Sequence, residues 1–299
     1  TNDRRQRQMC IRDRFILFSV IFNSNTSIAQ DYGNLQNALS GYSYRSVGPA
    51  FMSGRIADIA IDSNNENVWY VAVGSGGVWK TKNAGTTWMP LTDNMPFYST
   101  GSITIDPNDS SRIWVGTGEN VAGRHVGIGH GIYLSKDSGS TWDDMGLKKS
   151  EHISKIIVHP DNSNIIWVAS QGPLWNSGGD RGLFMSTDGG NSWSNKLYVN
   201  EWTGVTDIII DPTNPDILYA ATWQRHRNVA SLIDGGPGTS IYKSIDGGNT
   251  WNEIDSGLPS SNMGKIGLAI SPMKPEVIYA AIELDRRSGA VFRLSLIHI

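Results

Sequence analysis

An all-β fold made of repeated four-stranded units is predicted by three observations. An eight-residue box recurs four times. Each box is preceded by two short apolar stretches joined by a tight turn. No long stretch shows apolar spacing of 3.6 residues. The box pattern is Ser/Thr-x-Asp-x-Gly-x-Thr/Ser-Trp, and its closing tryptophans are Trp88, Trp142, Trp193 and Trp251, spaced 54, 51 and 58 residues apart. A repeat of that length sets the architecture before any local motif is weighed.

The elements follow in order. Ile103-Thr-Ile-Asp-Pro107 then Arg112-Ile-Trp-Val115 give strand A, a turn and strand B. The same pair recurs as Ile156-Ile-Val-His-Pro160 with Ile165-Ile-Trp-Val168, and as Ile208-Ile-Ile-Asp-Pro212 with Ile217-Leu-Tyr-Ala220. Leu268-Ala-Ile-Ser-Pro272 with Val277-Ile-Tyr-Ala280 is a further copy, and Ile59-Ala-Ile-Asp62 with Val68-Trp-Tyr-Val71 is a looser one. A variable loop then leads to strand C, such as Gly131-Ile-Tyr-Leu134, and the box turns the chain into strand D. The strands are short, rich in β-branched and aromatic residues, and bounded by Gly, Pro, Asn and Asp. Four short strands per unit, repeated, predict a β-propeller in which each unit is one blade. About four and a half blades are present of an expected seven to ten, over residues 44–293.

The box is read as scaffold. A C–D hairpin needs residues that accept φ > 0 and satisfy their own backbone, which Gly and Asp supply. The structural set is Asn83, Gly85 and Trp88, then Asp137, Gly139 and Trp142, then Asp188, Gly190 and Trp193, then Asp246, Gly248 and Trp251. The tryptophan opens strand D and is expected to wedge against the neighbouring sheet. One carboxylate per loop is far from the six to eight oxygens that calcium takes, so no metal and no cofactor are expected.

These boxes resemble the Asp-box, or bacterial neuraminidase repeat, of sialidases, xyloglucan-degrading hydrolases and the sortilin propeller. The resemblance covers roughly residues 44–293 and implies the propeller, of a secreted bacterial type. It implies little about activity, because function sits in sites grafted on a fold. The xyloglucanase pattern places a catalytic Asp before a Gly-Gly in strand B of its first blade. Here the matching stretch is Val73-Gly74-Ser75-Gly76-Gly77, so Gly74 stands where that Asp would be. The sialidase pattern opens on Arg-Ile-Pro, and Ser53-Gly-Arg-Ile-Ala57 keeps the Arg-Ile without the Pro.

The ends read differently from the middle. Residues 4–14 can be encoded so that their DNA contains GATGTGTATAAGAGACAG, whose reverse complement encodes Leu294-Ser-Leu-Ile-His-Ile299. Residues 1–14 and 294–299 are therefore expected to be translated sequencing adaptor, with the native frame cut in the fifth blade. Phe15-Ile-Leu-Phe-Ser-Val-Ile-Phe22, followed by Ser27-Ile-Ala29, reads as the tail of a signal peptide over 15–29, with a linker over 30–43. Export to the periplasm, cell surface or medium follows. The apolar run is too short to span a bilayer. The one cysteine, Cys10, falls in the adaptor segment, which removes disulfides, thiolate metal sites and cysteine nucleophiles. A net charge of −3 implies no basic face and no nucleic-acid partner.

Candidate function lies in the loops. A–B turns and boxes share one end of each blade and are uniform, whereas B–C and D–A loops share the other end and differ. Long unlike loops on a regular scaffold are where binding usually resides. The expected ligand-binding residues are Arg55, Arg124, His125, Glu201, Trp202, Trp223, Arg225 and His226. Glu119, Asp180 and Asp234 are the carboxylates available to a glycosidase, which needs two of them flanking one bond. His125 and His130 lack an accompanying metal-ligand pattern, and Gly127-Ile-Gly-His-Gly131 lacks the helix of a phosphate loop. Two readings remain. One is a non-catalytic scaffold taking a glycan, peptide or protein on the loop face, with the missing C-terminal blades of the same chain completing the ring. The other is an extracellular glycoside hydrolase.

Overall fold

The computed structural model describes residues 54–254, 256–284 and 288–295. The expected adaptor, leader and linker segments at 1–43 lie outside these residues, as do the first ten positions of the repeat region. The described residues form five consecutive antiparallel sheets. Blade 1 pairs Ile56–Ile61, Trp69–Val73, Gly77–Thr81 and Met89–Pro90 in that spatial order. Blade 2 pairs Thr100–Asp106, Asp109–Thr117, Ile132–Ser135 and Asp143–Asp144; blade 3 pairs Ile153–His159, Asn162–Ser170, Gly182–Ser186 and Ser194–Leu197. Blade 4 pairs Thr203–Asp211, Asn214–Gln224, Ile241–Ser244 and Asn252–Glu253. Blade 5 shows three strands, Ile266–Ser271, Lys274–Ile282 and Ala290–Ser295. Strand C of blade 5 runs on through Leu294, which is buried, so that position completes the sheet whatever its origin.

The order A-B-C-D within each sheet, with the A strands of successive sheets side by side, is that of a β-propeller. Strand B has side chains on both faces, and both faces are covered. Ile113 and Val115 join the cluster shared with blade 1, while Trp114 between them joins the cluster shared with blade 3. Likewise Ile166 and Val168 pack toward blade 2, and Trp167 and Ala169 pack toward blade 4. This two-sided burial is why strand B reads as an unbroken apolar run rather than as an alternation. Each fully covered Ile or Val contributes roughly 1.5–3 kcal/mol. Blade 1 differs: Ile59 and Ile61, which match Ile103 and Ile105 of blade 2, are 52% and 51% exposed.

The boxes are C–D turns, as expected. In three of them the carboxylate gathers the turn. Asp188 Oδ1 accepts Ser192 N–H at 2.9 Å and Ser186 O–H at 2.7 Å, and Oδ2 accepts Ser192 O–H at 2.6 Å. Asp137 and Asp246 repeat this with Thr141 and Thr250. These bonds hold Asp137, Asp188 and Asp246 down at about 2. In the first box the polarity of one bond is reversed: Asn83 Nδ2 donates to Thr87 Oγ1 at 2.9 Å, while Asn83 Oδ1 still accepts Thr87 N–H. Two central positions of every box have positive φ, and two of these are not glycine: Ala84 at 50° and Ser138 at 60°. In blades 2 to 4 the closing tryptophan packs against the preceding blade. Trp193 Nε1 donates to Met145 O at 2.7 Å and its ring meets Trp114 edge-on, with centroids 6.4 Å apart.

Candidate functional site

The B–C and D–A loops meet at the end opposite the boxes. The loop after strand B of blade 2 begins with Glu119, whose side chain is 3% exposed. Glu119 Oε1 accepts Arg55 Nε at 3.1 Å and Nη2 at 2.5 Å, and Ser75 O–H at 3.3 Å; Oε2 accepts Gly127 N–H at 2.9 Å. A buried carboxylate needs this many donors. Gly74 lies directly against it. A Cβ on Gly74 would sit 2.5 Å from Glu119 Oε1, about as far as an aspartate Cβ lies from its own oxygens. Glu119, from the next blade, thus fills the space that a side chain at position 74 would take. Arg55, Ile56, Ala57, Gly74, Glu119, Asn120 and Val121 enclose a pocket of about 330 Å³.

Behind this pocket lies a ring of cations. Lys265 Nζ donates to Asn120 O at 2.5 Å, and Arg225 Nη1 donates to Val121 O at 3.3 Å. These bonds run from blades 5 and 4 to the loop of blade 2. Arg225 is fully buried, its guanidinium carbon 4.9 Å from the Trp223 ring centre, and Lys265 Nζ is 5.5 Å from the same ring. Arg181, also fully buried, donates to the carbonyls of Gln171, Pro173, Asn176, Gly178 and Trp202. None of these three cations has a carboxylate within 4 Å among the described residues, and Arg225 Nε and Arg227 Nε lack a hydrogen-bond partner. Burial lowers Arg225 to about 9 and Arg181 to about 10, so both still carry charge at neutral pH. His152 is buried in the same ring; desolvation first and the Arg225 charge second push it down to about 3, which leaves it neutral. Glu151, at φ 56° in the left-handed region, is raised by burial and opposed by Arg181 and Arg225. Asp234 is raised by burial and by Glu283, against Arg225 and Lys265.

The candidate residues therefore separate. Arg55 and Glu119 come together, and so do Trp202 and His226, whose rings are 4.2 Å apart. Trp223 and Arg225 also pair, but beneath the face rather than on it, because both are 1% exposed or less. Asp180 is tied to the Lys149 N–H at 2.9 Å, away from Glu119. Arg124 and His125 are exposed near the tip of the blade 2 loop, apart from the ring. The B–C loop of blade 4 holds a small hairpin of His226–Arg227 with Leu232–Ile233. Lys265 was the residue missed by sequence reasoning. It holds the place that His152 and Gly204 hold in blades 3 and 4, one residue before the apolar Ile266, Ile153 and Val205, and no local pattern marks it. Among the described residues no group of three or more His, Cys, Asp or Glu is placed to hold a metal, and no helix is long and apolar enough to cross a membrane.

Comparison with known proteins agrees with this architecture. Residues 130–263 match the Sortilin-Vps10 family (sortilin, neurotensin receptor 3). An oligoxyloglucan-reducing end-specific xyloglucanase of Emericella nidulans is 23% identical over 254 residues, covering 77% of this chain and 28% of the relative. Xyloglucanase Xgh74A of Acetivibrio thermocellus is 25% identical over 232 residues, covering 69% and 26%. The chain thus spans about a quarter of the length of these relatives. Among solved structures, an ancestral GH74 enzyme superposes with a TM-score of 0.61 at 22% identity, covering 82% of this chain and 30% of that one. The GH74 enzyme of Niastella koreensis gives 0.59 at 17%, covering 81% and 37%. The chain thus has the β-propeller fold of the GH74 enzymes and is similar in sequence to the sortilin family over residues 130–263 and to the xyloglucanases.

Proposed function

We propose that this chain is part of a secreted propeller that binds a glycan, peptide or protein on its loop face without hydrolysing it. The observation that carries this reading is the state of Glu119. It is the carboxylate nearest to position 74, and it is spent on Arg55, Ser75 and the Gly127 N–H. Asp180 is tied to the Lys149 backbone amide, and Asp234 is raised by burial and by Glu283, so neither is engaged with Glu119 as the second carboxylate a glycosidase needs. The half-exposed Trp202 and His226 supply the kind of ring surface a glycan or peptide packs against.

A second reading, an extracellular glycoside hydrolase, is favoured by one observation: Glu119 brings a carboxylate oxygen to within 2.5 Å of where a Cβ on Gly74 would sit. One experiment separates the two. Xyloglucan oligosaccharides are incubated with the chain and with Glu119→Gln, and new reducing ends are counted alongside binding. Binding without new reducing ends supports the scaffold. Reducing ends that vanish in Glu119→Gln overturn it in favour of the hydrolase.

A further inference from the structure

The outer faces of blade 1 and blade 5 are the two halves of one kind of seam. Between blades 1 and 2, Ile103, Ile105, Ile113, Val115, Tyr133 and Trp142 of blade 2 pack on Ala60, Tyr70, Ala72 and Val78 of blade 1. The strand registers and the box match those six positions to Ile59, Ile61, Trp69, Val71, Trp79 and Trp88 on the far side of blade 1. There all but Ile61 line an apolar groove of about 380 Å³. Ile59 is 52% exposed where Ile103 is 3% exposed. A contiguous apolar surface of this kind marks an interaction site. Blade 5 carries the opposite half. Its Ile278, Ala280 and Ile282 are buried against blade 4, while Tyr279, Ala281, Val291 and Arg293 between and beside them face away and are exposed. Tyr279 pairs with Arg293 and Ala281 with Val291, as Tyr70 pairs with Lys80 and Ala72 with Val78 in blade 1. Blade 2 covers the blade 1 set, so that Tyr70 and Val78 are 1% exposed, against 43% for Tyr279 and 70% for Val291.

The polar contacts are matched as well. Tyr70 O–H and Lys80 Nζ both donate to Ser138 O, a box carbonyl of the next blade, at 3.3 and 3.0 Å. Trp167 Nε1 donates to the same box position in blade 4, Gly247 O, at 3.2 Å. On blade 1 that box position is Ala84, which shares the left-handed backbone of Ser138. At the blade 5 end the Tyr279 hydroxyl and the Arg293 guanidinium are the corresponding donors. We propose that a second copy of this chain docks the outer face of its blade 5 onto the outer face of blade 1, with Ala281 and Val291 in the apolar groove and Tyr279 and Arg293 donating to Ala84 O. The two faces differ, so the contact is head to tail, and each copy keeps one face for a further copy or for closure into a ring. The expected further blades of a longer chain would take the same groove. The pairing does not depend on what the loop face binds, because none of these residues lies in the B–C or D–A loops.

The test is sedimentation velocity of the full chain over a roughly hundredfold range of concentration, with Ile59→Asp and Val291→Asp alone and mixed in equal amounts. Both side chains are exposed, so each substitution sets a charge on one outer face without touching the core, and circular dichroism checks the fold. The wild type is expected to gain mass with concentration. Each variant alone should associate about tenfold or more weakly, since every copy then lacks one half of the seam. The mixture should recover a pair made of one copy of each, because Ile59→Asp keeps its blade 5 face and Val291→Asp keeps its blade 1 face. A wild type that stays monomeric throughout overturns the proposal. Association of Val291→Asp alone as strong as that of the wild type also overturns it, since the blade 1 face would then be pairing with itself. A mixture no more associated than the separate variants overturns it too, leaving non-specific adhesion.

Discussion

Replacing Trp193 with Phe tests whether the box tryptophans join the blades. In the structure Trp193 Nε1 donates to Met145 O of the preceding blade at 2.7 Å, and its ring meets Trp114 edge-on at 83°. Phenylalanine removes the hydrogen bond, with a net loss of about 1 kcal/mol. The smaller ring gives up part of an aromatic contact, a further 0.5–1 kcal/mol or so. The expected loss is roughly 1.5–2 kcal/mol, or a fall in melting temperature of about 3–8 °C for a chain of this size. Trp88→Phe is the internal comparison. Trp88 holds the same box position in blade 1 but is 41% exposed and meets Trp69 of its own sheet. Its expected loss is within about 0.5 kcal/mol. The measurement is thermal and urea unfolding of both variants, followed by far-UV circular dichroism. Equal losses at the two positions would refute the wedge and leave the tryptophans as local hairpin packing.

Four further outcomes are expected. Gly74→Asp sets a second carboxylate against Glu119 and lowers stability by about 1–3 kcal/mol, and Gly74→Asp combined with Glu119→Ala recovers part of it; a double-mutant cycle in urea reads the coupling. Arg55→Ala leaves Glu119 buried and unpaired, and denaturation near neutral pH should show about 1–3 kcal/mol lost, discounted because Arg55 is 55% exposed. Ser138→Gly and Ala84→Gly each relieve a left-handed residue and should raise the urea midpoint, by about 0.5–1 kcal/mol in stability. Acid denaturation should run in two stages. His152 has a folded value near 3 against an ordinary 6.5, so the unfolded chain takes up its proton first and stability declines as pH falls from about 6.5 toward 3. The box aspartates, held near 2 against 3.8, contribute stability that is full above about 4 and lost as pH falls toward 2. Unfolding curves across pH 2–7 for the wild type and His152→Gln would reveal the stages, and an unchanged upper stage in the variant would count against the assignment to His152.

The fold was legible because the repeat states it several times over. Box chemistry is local: a carboxylate two residues after a hydroxyl and two before a glycine satisfies its own turn, so Ser186, Asp188 and Gly190 reveal the hairpin without reference to the rest of the chain. The apolar runs of strand B declared burial on both faces for the same reason. The site was less legible, because it forms between repeats. Nothing in the local sequence brings Arg55 to Glu119, 64 residues away, or Lys265 to Asn120, 145 residues away. Trp223 and Arg225 look like loop residues by type, yet they form the floor under the loops.

The first box has consequences for how the molecule responds to acid. Asn83 occupies the place of the box aspartates and presents an amide, which has no proton to gain. As pH falls toward 2 the hairpins closed by Asp137, Asp188 and Asp246 each lose their gathering charge, whereas the hairpin at Thr81–Trp88 keeps every bond it has. Acid therefore dismantles the array unevenly, sparing its first turn. Asn83 gives the chain a built-in reference, a hairpin of the same turn type from which the titrating group has been removed.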